Sequence, residues 1–161
     1  MTNDVRLRDV IDADLAVFFE YESDTDAVHM AAFTRMDPAD REAFRSHWEK
    51  ILASPAVIIR TILRGGEVVG SVLSYEDSGR PEVSYWLGAR YWGQGIATGA
   101  LRLFLAEVDT RRPMRARVAK DNAGSIRVLE KCGFRVVGQA RGFANARGAE
   151  IEELIFELLG P

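Results

Sequence analysis

The chain has 161 residues, 47% of them apolar, and carries a formal net charge of −3. This length predicts a single domain over residues 1–161, and the apolar content excludes a disordered chain. The slight negative charge disfavours a nucleic-acid-binding protein, because such proteins concentrate basic side chains on one surface.

Cysteine and histidine usage and the N-terminal residues restrict the class of protein further. The single cysteine, Cys132, excludes an intramolecular disulfide, and His29 and His47 are too isolated in sequence to predict a metal site. Residues 1–8 are charged, unlike a signal peptide, and no apolar stretch approaches the length that crosses a bilayer. We therefore predict a cytoplasmic protein with no membrane or metal partner.

The first third of the chain is predicted to form a strand over residues 5–10 and two helices. Asp12 is predicted to cap the first helix, whose apolar residues follow at helical spacing. Asp37 before Pro38 predicts the start of the second helix, because proline favours the first helical position.

The middle of the chain is predicted to form a β-meander followed by a helix. The strands are expected over residues 57–63, 68–75 and 82–87, with a glycine-containing turn between the first two. Residues 96–110 then show a continuous apolar face at helical spacing, which predicts an amphipathic helix packed on the sheet.

The last third is predicted to add three strands and one short helix. The strands cover residues 115–120, 134–139 and 151–158, and the helix over 125–132 ends before Gly133. The full order is β-α-α-β-β-β-α-β-α-β-β. This order predicts an α+β fold with a mixed, mostly antiparallel sheet of about seven strands, a central β-α-β crossover and flanking helices.

The most informative stretch, Arg90-Tyr91-Trp92-Gly93-Gln94-Gly95-Ile96-Ala97, lies between a predicted strand and a predicted helix. Glycines there allow a tight turn and close ligand approach, and the free N–H groups of a helix start favour phosphate. A glycine-rich turn without a ligand is the alternative. A nicotinamide-binding fingerprint formed by Gly93, Gly95 and Gly99 is a second alternative, disfavoured because it follows an antiparallel meander.

A second stretch, residues 122–134, begins Asn-x-x-Ser and ends Cys-Gly-Phe. Together, the two stretches resemble the GNAT superfamily of N-acetyltransferases: residues 82–97 are similar to its strand, pyrophosphate loop and helix start, and residues 122–134 to its coenzyme-contacting helix. The segments Tyr-Trp-Leu-Gly, Trp-Gly-Gln-Gly-Ile-Ala and Asn-x-x-Ser resemble the branch that contains the ribosomal-protein N-terminal acetyltransferases (RimJ/RimL type).

The resemblance implies an acyltransferase that moves the acetyl group of acetyl-CoA, without a metal, to a primary amine. The amine belongs to a protein N-terminus or a small molecule, transfer is direct within a ternary complex, and a homodimer is expected. An acyl-CoA-binding regulatory module without turnover is the alternative.

The resemblance also implies where the coenzyme binds. The parallel strands over residues 83–87 and 115–120 splay apart, and the pantetheine arm enters the gap beside Trp86, Leu87 and Asn122. Lys131, Arg127 or Arg90 is expected to meet the outer phosphates, and a solvated surface charge is the alternative for each of the three. The residues assigned to the coenzyme are Trp86, Leu87, Arg90, Gly93, Gln94, Gly95, Ile96, Ala97, Thr98, Asn122, Ser125 and Lys131.

Three groups are the candidates for catalysis. The backbone N–H of Leu87 is expected to polarise the thioester oxygen. The resemblance implies that Glu82 removes the amine proton through a water molecule, because relatives often carry a carboxylate on this strand. Ser125 is expected to hydrogen-bond the departing sulfur, because Leu129 stands where many relatives carry a tyrosine. The structural alternatives are a strand-edge charge for Glu82 and a purely helix-capping role for Ser125.

Overall fold

A computed structural model describes residues 4–160, which form one seven-stranded sheet with helices on both faces. The strands are β1 (Val5–Arg8), β2 (Ile58–Arg64), β3 (Glu67–Asp77), β4 (Arg80–Leu87), β5 (Met114–Ala119), β6 (Arg135–Ala144) and β7 (Ala149–Leu158). The helices are α1 (Asp12–Glu22), α2 (Thr25–Ala31), α3 (Arg41–Ala53), α4 (Ile96–Leu103) and α5 (Ala123–Lys131). Within residues 4–160, no helix is both long and apolar enough to cross a membrane.

The sheet has the strand order β1-β2-β3-β4-β5-β7-β6, and every neighbouring pair is antiparallel except β4 with β5. The predicted fold class is therefore confirmed. This mostly antiparallel arrangement differs from the doubly wound parallel sheet that the nicotinamide alternative requires.

Strands β4 and β5 are paired at a single position, Glu82 with Arg115. On its other edge, β5 pairs with β7 over its whole length, Met114–Ala119. The two parallel strands therefore separate toward their carboxyl ends, and the crossover helix α4 connects them across this gap.

Two apolar clusters hold the helices on opposite faces of the sheet. Helix α4 contributes Ile96, Leu101 and the adjoining Phe104 to the larger cluster, where Phe104 is fully buried. Helices α1 and α3 are joined through Phe18 and Trp48 in the smaller cluster. Because successive side chains of a strand face opposite ways, the two clusters can occupy both sides of one sheet.

Both helix caps predicted in the first third of the chain were wrong. Helix α1 has Ile11 as its N-cap and Asp12 as its first residue, and the Asp14 carboxylate accepts from the Ile11 N–H at 3.0 Å.

Helix α3 begins after Asp40, whose carboxylate accepts a hydrogen bond from the Ala43 N–H at 3.0 Å. Asp37 instead accepts from the Ala39 N–H, so the Asp37–Pro38 pair forms a turn. Aspartate followed by proline suits both a helix start and a turn, which is why the predicted boundary was wrong.

Two further differences from the prediction concern helices α2 and α4. Helix α2 was not predicted, and Asp24 caps it by accepting from the Ala27 N–H at 2.9 Å. The helix predicted to reach residue 110 ends as an α-helix at Leu103 and continues as a wider π-helical turn over Phe104–Val108.

Candidate active site

A cavity of about 550 Å³, here called the first cavity, lies beside the carboxyl end of β4. Its walls come from β4, the loop that follows, and the first turns of α4 and α5, with α2 closing one side. Ten of the twelve residues predicted to bind a coenzyme line it: Trp86, Leu87, Gly93, Gly95, Ile96, Ala97, Thr98, Asn122, Ser125 and Lys131.

The loop before α4 turns through two glycines in the left-handed backbone region. Gly93 has a φ of 75° and Gly95, the N-cap of α4, has a φ of 80°. The first N–H that bonds back into the helix belongs to Gly99, at 3.1 Å from the Gly95 carbonyl oxygen. The N–H groups over residues 96–98 therefore precede the helical hydrogen bonds, and they lie at the positive end of the helix dipole on the cavity wall.

The other two predicted coenzyme residues, Arg90 and Gln94, lie outside the lining of the first cavity. The Gln94 amide accepts from the Arg64 guanidinium at 2.7 Å and donates to the Arg90 carbonyl at 3.1 Å. The Arg90 guanidinium lies 5.1 Å from the centre of the Tyr91 ring. Both side chains therefore support the loop, whereas the cationic residues Lys131 and Arg127 line the cavity.

Asn122 and Ser125 begin α5 at the opposite wall of the first cavity. The Asn122 Oδ1 caps the helix by accepting from the Ser125 N–H at 3.2 Å, and its Nδ2 donates to the Met30 carbonyl at 3.3 Å. The Ser125 hydroxyl oxygen lies 2.5 Å from the Tyr85 hydroxyl oxygen on β4, and the two groups are hydrogen-bonded. Burial raises the pKa of Tyr85 to about 12, so its hydroxyl is protonated at neutral pH.

The backbone at Leu87 ends β4 at the gap between the parallel strands. Its carbonyl accepts from the Trp92 indole N–H at 3.1 Å, and the following Gly88 N–H donates to Val69 on β3 at 2.9 Å. Successive N–H groups of a strand point to opposite sides. The Leu87 N–H is therefore expected to point away from β3, toward the gap.

A second cavity of about 260 Å³ lies on the other side of β4. It is lined by the end of α1, the segment over residues 33–38, helix α3, and strands β3 and β4. Tyr85 and Trp86 line both cavities. The two cavities therefore meet at the carboxyl end of β4.

The charged groups of the second cavity nearly cancel. Among its described lining residues, Glu22 is the one carboxylate, and it forms an ion pair of 3.0 Å with Arg35. Burial raises the pKa of Glu22, and Arg35 only partly offsets this effect. Burial and the charge of Arg35 lower the pKa of His47, which is consequently neutral at pH 7.

Glu82 shares a face of β4 with Ser84 and Trp86, which line the second cavity. Its carboxylate accepts from the Tyr75 hydroxyl at 2.8 Å and lies 3.4 Å from the Arg117 guanidinium. Glu82 and Ser84 are two positions apart on the strand, which is roughly 7 Å. The structure thus places Glu82 just beyond the second cavity and does not bring it into contact with the first.

Acidic side chains elsewhere near the site are paired with cations. On β7, Glu152 lies 2.9 Å from Lys120 and Glu153 lies 3.3 Å from Arg117. Within the described part of the chain, no group of three or more histidine, cysteine, aspartate or glutamate side chains is placed to hold a metal ion.

The sequence did not single out Tyr85, Glu22 or Arg35. Tyr85 belongs to the motif on β4, but its pairing with Ser125 joins residues 40 positions apart. Glu22 and Arg35 belong to no recognisable sequence motif. They form an ion pair only because helix α2, which lies between them in the sequence, folds back and brings them together. The place of Tyr85 within the Tyr-Trp-Leu-Gly motif was the sequence signal that could have singled it out.

Comparison with known proteins identifies the family. A family model described as an acetyltransferase (GNAT) domain matches residues 4–135. An uncharacterised N-acetyltransferase of Bacillus licheniformis is 30% identical over 100 residues, which cover 58% of this chain and 56% of that protein. The chain therefore spans little more than half the length of this curated relative.

Two solved structures share the fold at low sequence identity. Mycobacterium smegmatis RimJ in complex with CoA-disulfide has a TM-score of 0.80 and 24% identity, over 96% of this chain and 81% of that one. The ribosomal-protein-alanine N-acetyltransferase of Brucella melitensis has a TM-score of 0.78 and 22% identity, over 96% of this chain and 99% of that one.

Proposed function

This chain belongs to the GNAT acetyltransferase family, and we propose that it transfers the acetyl group of acetyl-CoA to the nitrogen of a primary amine. The observation that carries the proposal is the meeting of two cavities at Tyr85 and Trp86. One cavity has a helix start whose N–H groups are suited to binding phosphate, and the other has room for a small acceptor. The acetyl group would lie where they meet.

In this proposal the coenzyme occupies the first cavity. Its pyrophosphate binds the N–H groups over residues 96–98, and its pantetheine arm runs along Leu87 and Asn122 in the gap between β4 and β5. Lys131 and Arg127 supply positive charge for the outer phosphate. The relative RimJ was solved with CoA-disulfide, which supports a coenzyme role for this fold.

The acceptor amine occupies the second cavity. A polycation would require several free carboxylates, yet the cavity offers one, Glu22, and Arg35 already neutralises it. The remaining walls are hydroxyl, aromatic and aliphatic side chains. These features favour a monoamine with a small uncharged neighbour, such as the first residue of a peptide, over a polyamine or an aminoglycoside.

Transfer is direct within the ternary complex. The amine loses its proton before attack, because an alkylammonium of pKa about 10 is not a nucleophile. Glu82 accepts that proton through water, since it lies beyond the lining of the second cavity. The Leu87 N–H polarises the thioester oxygen, the C–N bond forms, and the C–S bond breaks toward Ser125.

The test is thiol release from acetyl-CoA with a panel of acceptors: short peptides with free N-termini, amino acid amides, polyamines and aminoglycosides. Turnover with a monoamine supports the proposal, and turnover confined to polyamines overturns its acceptor class. Calorimetric binding of CoA without turnover on any amine favours a regulatory acyl-CoA-binding module. Failure to bind CoA refutes the coenzyme site itself.

We further propose, from the family resemblance, that the protein is a cytoplasmic homodimer. Sedimentation analysis with and without CoA tests the dimer, and a monomer at micromolar concentration under both conditions would contradict it.

A further inference from the structure

The departing sulfur of the coenzyme needs a hydrogen-bond donor, and Leu129 cannot supply one. Many members of the GNAT superfamily carry a tyrosine at the position of Leu129. Here Leu129 is 1% exposed and belongs to the larger apolar cluster. Another group must therefore stabilise the negative charge that develops on the sulfur, if the proposed function is correct.

Two hydroxyls lie together at the place where the two cavities meet. The Tyr85 and Ser125 oxygens are 2.5 Å apart, Tyr85 lines both cavities, and Ser125 lines the first. Each hydroxyl brings one proton, and their mutual hydrogen bond uses one of the two. When Tyr85 is the donor within the pair, the Ser125 O–H remains available to a ligand in the first cavity. In the reverse arrangement the Tyr85 O–H faces the Ser125 carbonyl oxygen, at 3.4 Å.

We propose that Tyr85 and Ser125 form a paired donor to the coenzyme sulfur, in which Ser125 contacts the sulfur and Tyr85 is a positioning residue that acts through Ser125. This inference rests on the proposed function. A phenol is a better donor than an aliphatic alcohol, so Tyr85 donates to the Ser125 oxygen and leaves the Ser125 proton for the sulfur. Hydrogen bonds in such a chain polarise and strengthen one another.

The pair donates a hydrogen bond and does not lose its proton. When the C–S bond breaks, its electron pair goes to the sulfur, and the Ser125 O–H stabilises the thiolate. A thiol has a pKa of about 8.5, which makes it a stronger acid than Tyr85. The thiolate therefore takes its proton from solvent, and this proton balances the one that the amine released.

The direct test needs only CoA and no acceptor. The ionisation of the bound CoA thiol is followed by the NMR shift of the isotope-labelled methylene carbon beside the sulfur, in a Cys132→Ala background that removes the protein's own thiol. We expect Y85F and S125A each to raise the thiol pKa by about one unit, since hydrogen bonds to charged groups have this strength. The double variant should show no further rise.

The matched control is Y91F, because Tyr91 also lines the first cavity but its hydroxyl bonds to Glu67 at 3.2 Å. We expect Y91F to leave the thiol pKa unchanged. An unchanged thiol pKa in a Y85F protein that binds CoA normally overturns the inference and leaves the proposed function intact. Failure of the unsubstituted protein to bind CoA refutes the coenzyme site instead.

Turnover provides a second measurement once an acceptor is known. Y85F and S125A should each lower kcat about tenfold with little change in the KM for acetyl-CoA. A tenfold loss is expected because a rise of one unit in the pKa of the thiol means that the developing thiolate is tenfold less stabilised. The double variant should lose no more than either single variant. Fully additive losses would show that the two hydroxyls act separately, contrary to the proposal.

Discussion

The left-handed backbone at Gly95 allows the proposed pyrophosphate site to be tested by adding a single methyl group. Gly95 has a φ of 80° and caps α4 at the wall of the first cavity. An L-residue in that region costs about 1–2 kcal/mol. We therefore expect Gly95→Ala to lower the free energy of unfolding by that amount and to misalign the N–H groups that follow it.

Gly99 offers the same substitution one helical turn later, without the strain. It is an α4 residue outside the lining of the first cavity, and an added Cβ would meet the Val5 side chain at an ordinary 3.8 Å. Replacing a helical glycine by alanine stabilises a protein by roughly 0.5–1 kcal/mol. The two variants should therefore move the free energy of unfolding in opposite directions, with a difference of about 2 kcal/mol.

Urea unfolding measures the free energies, and calorimetric titration with CoA measures the affinities. We expect Gly95→Ala to weaken CoA binding about tenfold, because relaxation of the strained turn reorients donors worth about 1.4 kcal/mol. Gly99→Ala should bind CoA as the parent does. A folded Gly95→Ala protein with parental CoA affinity would refute the placement of the pyrophosphate, and equal destabilisation of both variants would refute the strain argument.

Three other predictions test stability and the remaining catalytic assignment. Burial alone would raise the pKa of Asp109, but hydrogen bonds, chiefly from Arg111, lower it to about 2. The ionised carboxylate therefore stabilises the folded protein above about pH 4. This stabilisation is lost as the pH falls from about 4 to about 2. Because Arg111 is partly exposed, we expect acid to lower the free energy of unfolding by about 1–2 kcal/mol through this group. Acid unfolding curves should lack this loss in Asp109→Asn and keep it in Asp9→Asn, a control at an exposed aspartate. Glu82→Gln should lower turnover most at the acidic end of the pH–rate profile. Glu153→Gln also removes a carboxylate beside Arg117 but should leave the shape of the profile unchanged. If the two variants have the same profile, Glu82 has a structural role only. Leu129→Tyr should lower the free energy of unfolding by about 1–3 kcal/mol through overpacking, and a stable variant with faster turnover would show that the site accepts the usual tyrosine.

Hydrophobic periodicity was sufficient to predict the sheet and its crossover. All seven strands and the apolar face of α4 follow from local patterns, because each is long enough to show its period. Helix α2 has only seven residues and buries just Ala27, so it shows no such period. Its position depends on contacts with the distant α5, such as the Asn122 bond to Met30.

The first cavity was largely predictable, and the second was not. The glycine loop and the Asn-x-x-Ser helix start are continuous motifs, so a single sequence carries them. The Glu22–Arg35 pair and the Tyr85–Ser125 pair join separate segments through tertiary packing. Arg90 and Gln94 lie within the motif, yet their own contacts direct them away from the cavity.

The single pairing position between β4 and β5 has a consequence for how the protein unfolds. The sheet consists of a four-stranded and a three-stranded ribbon joined by one rung, Glu82 with Arg115, and by the covalent crossover. A coenzyme arm lying between the ribbons would supply the missing rungs, so that the ligand is also a structural part of the sheet. At a CoA concentration one hundred times its dissociation constant, linkage adds about 2.7 kcal/mol to the free energy of unfolding. In the presence of CoA, the backbone amides of both β4 and β5 should exchange more slowly. The reason is that the bound coenzyme would join the two ribbons, so that they could open only together.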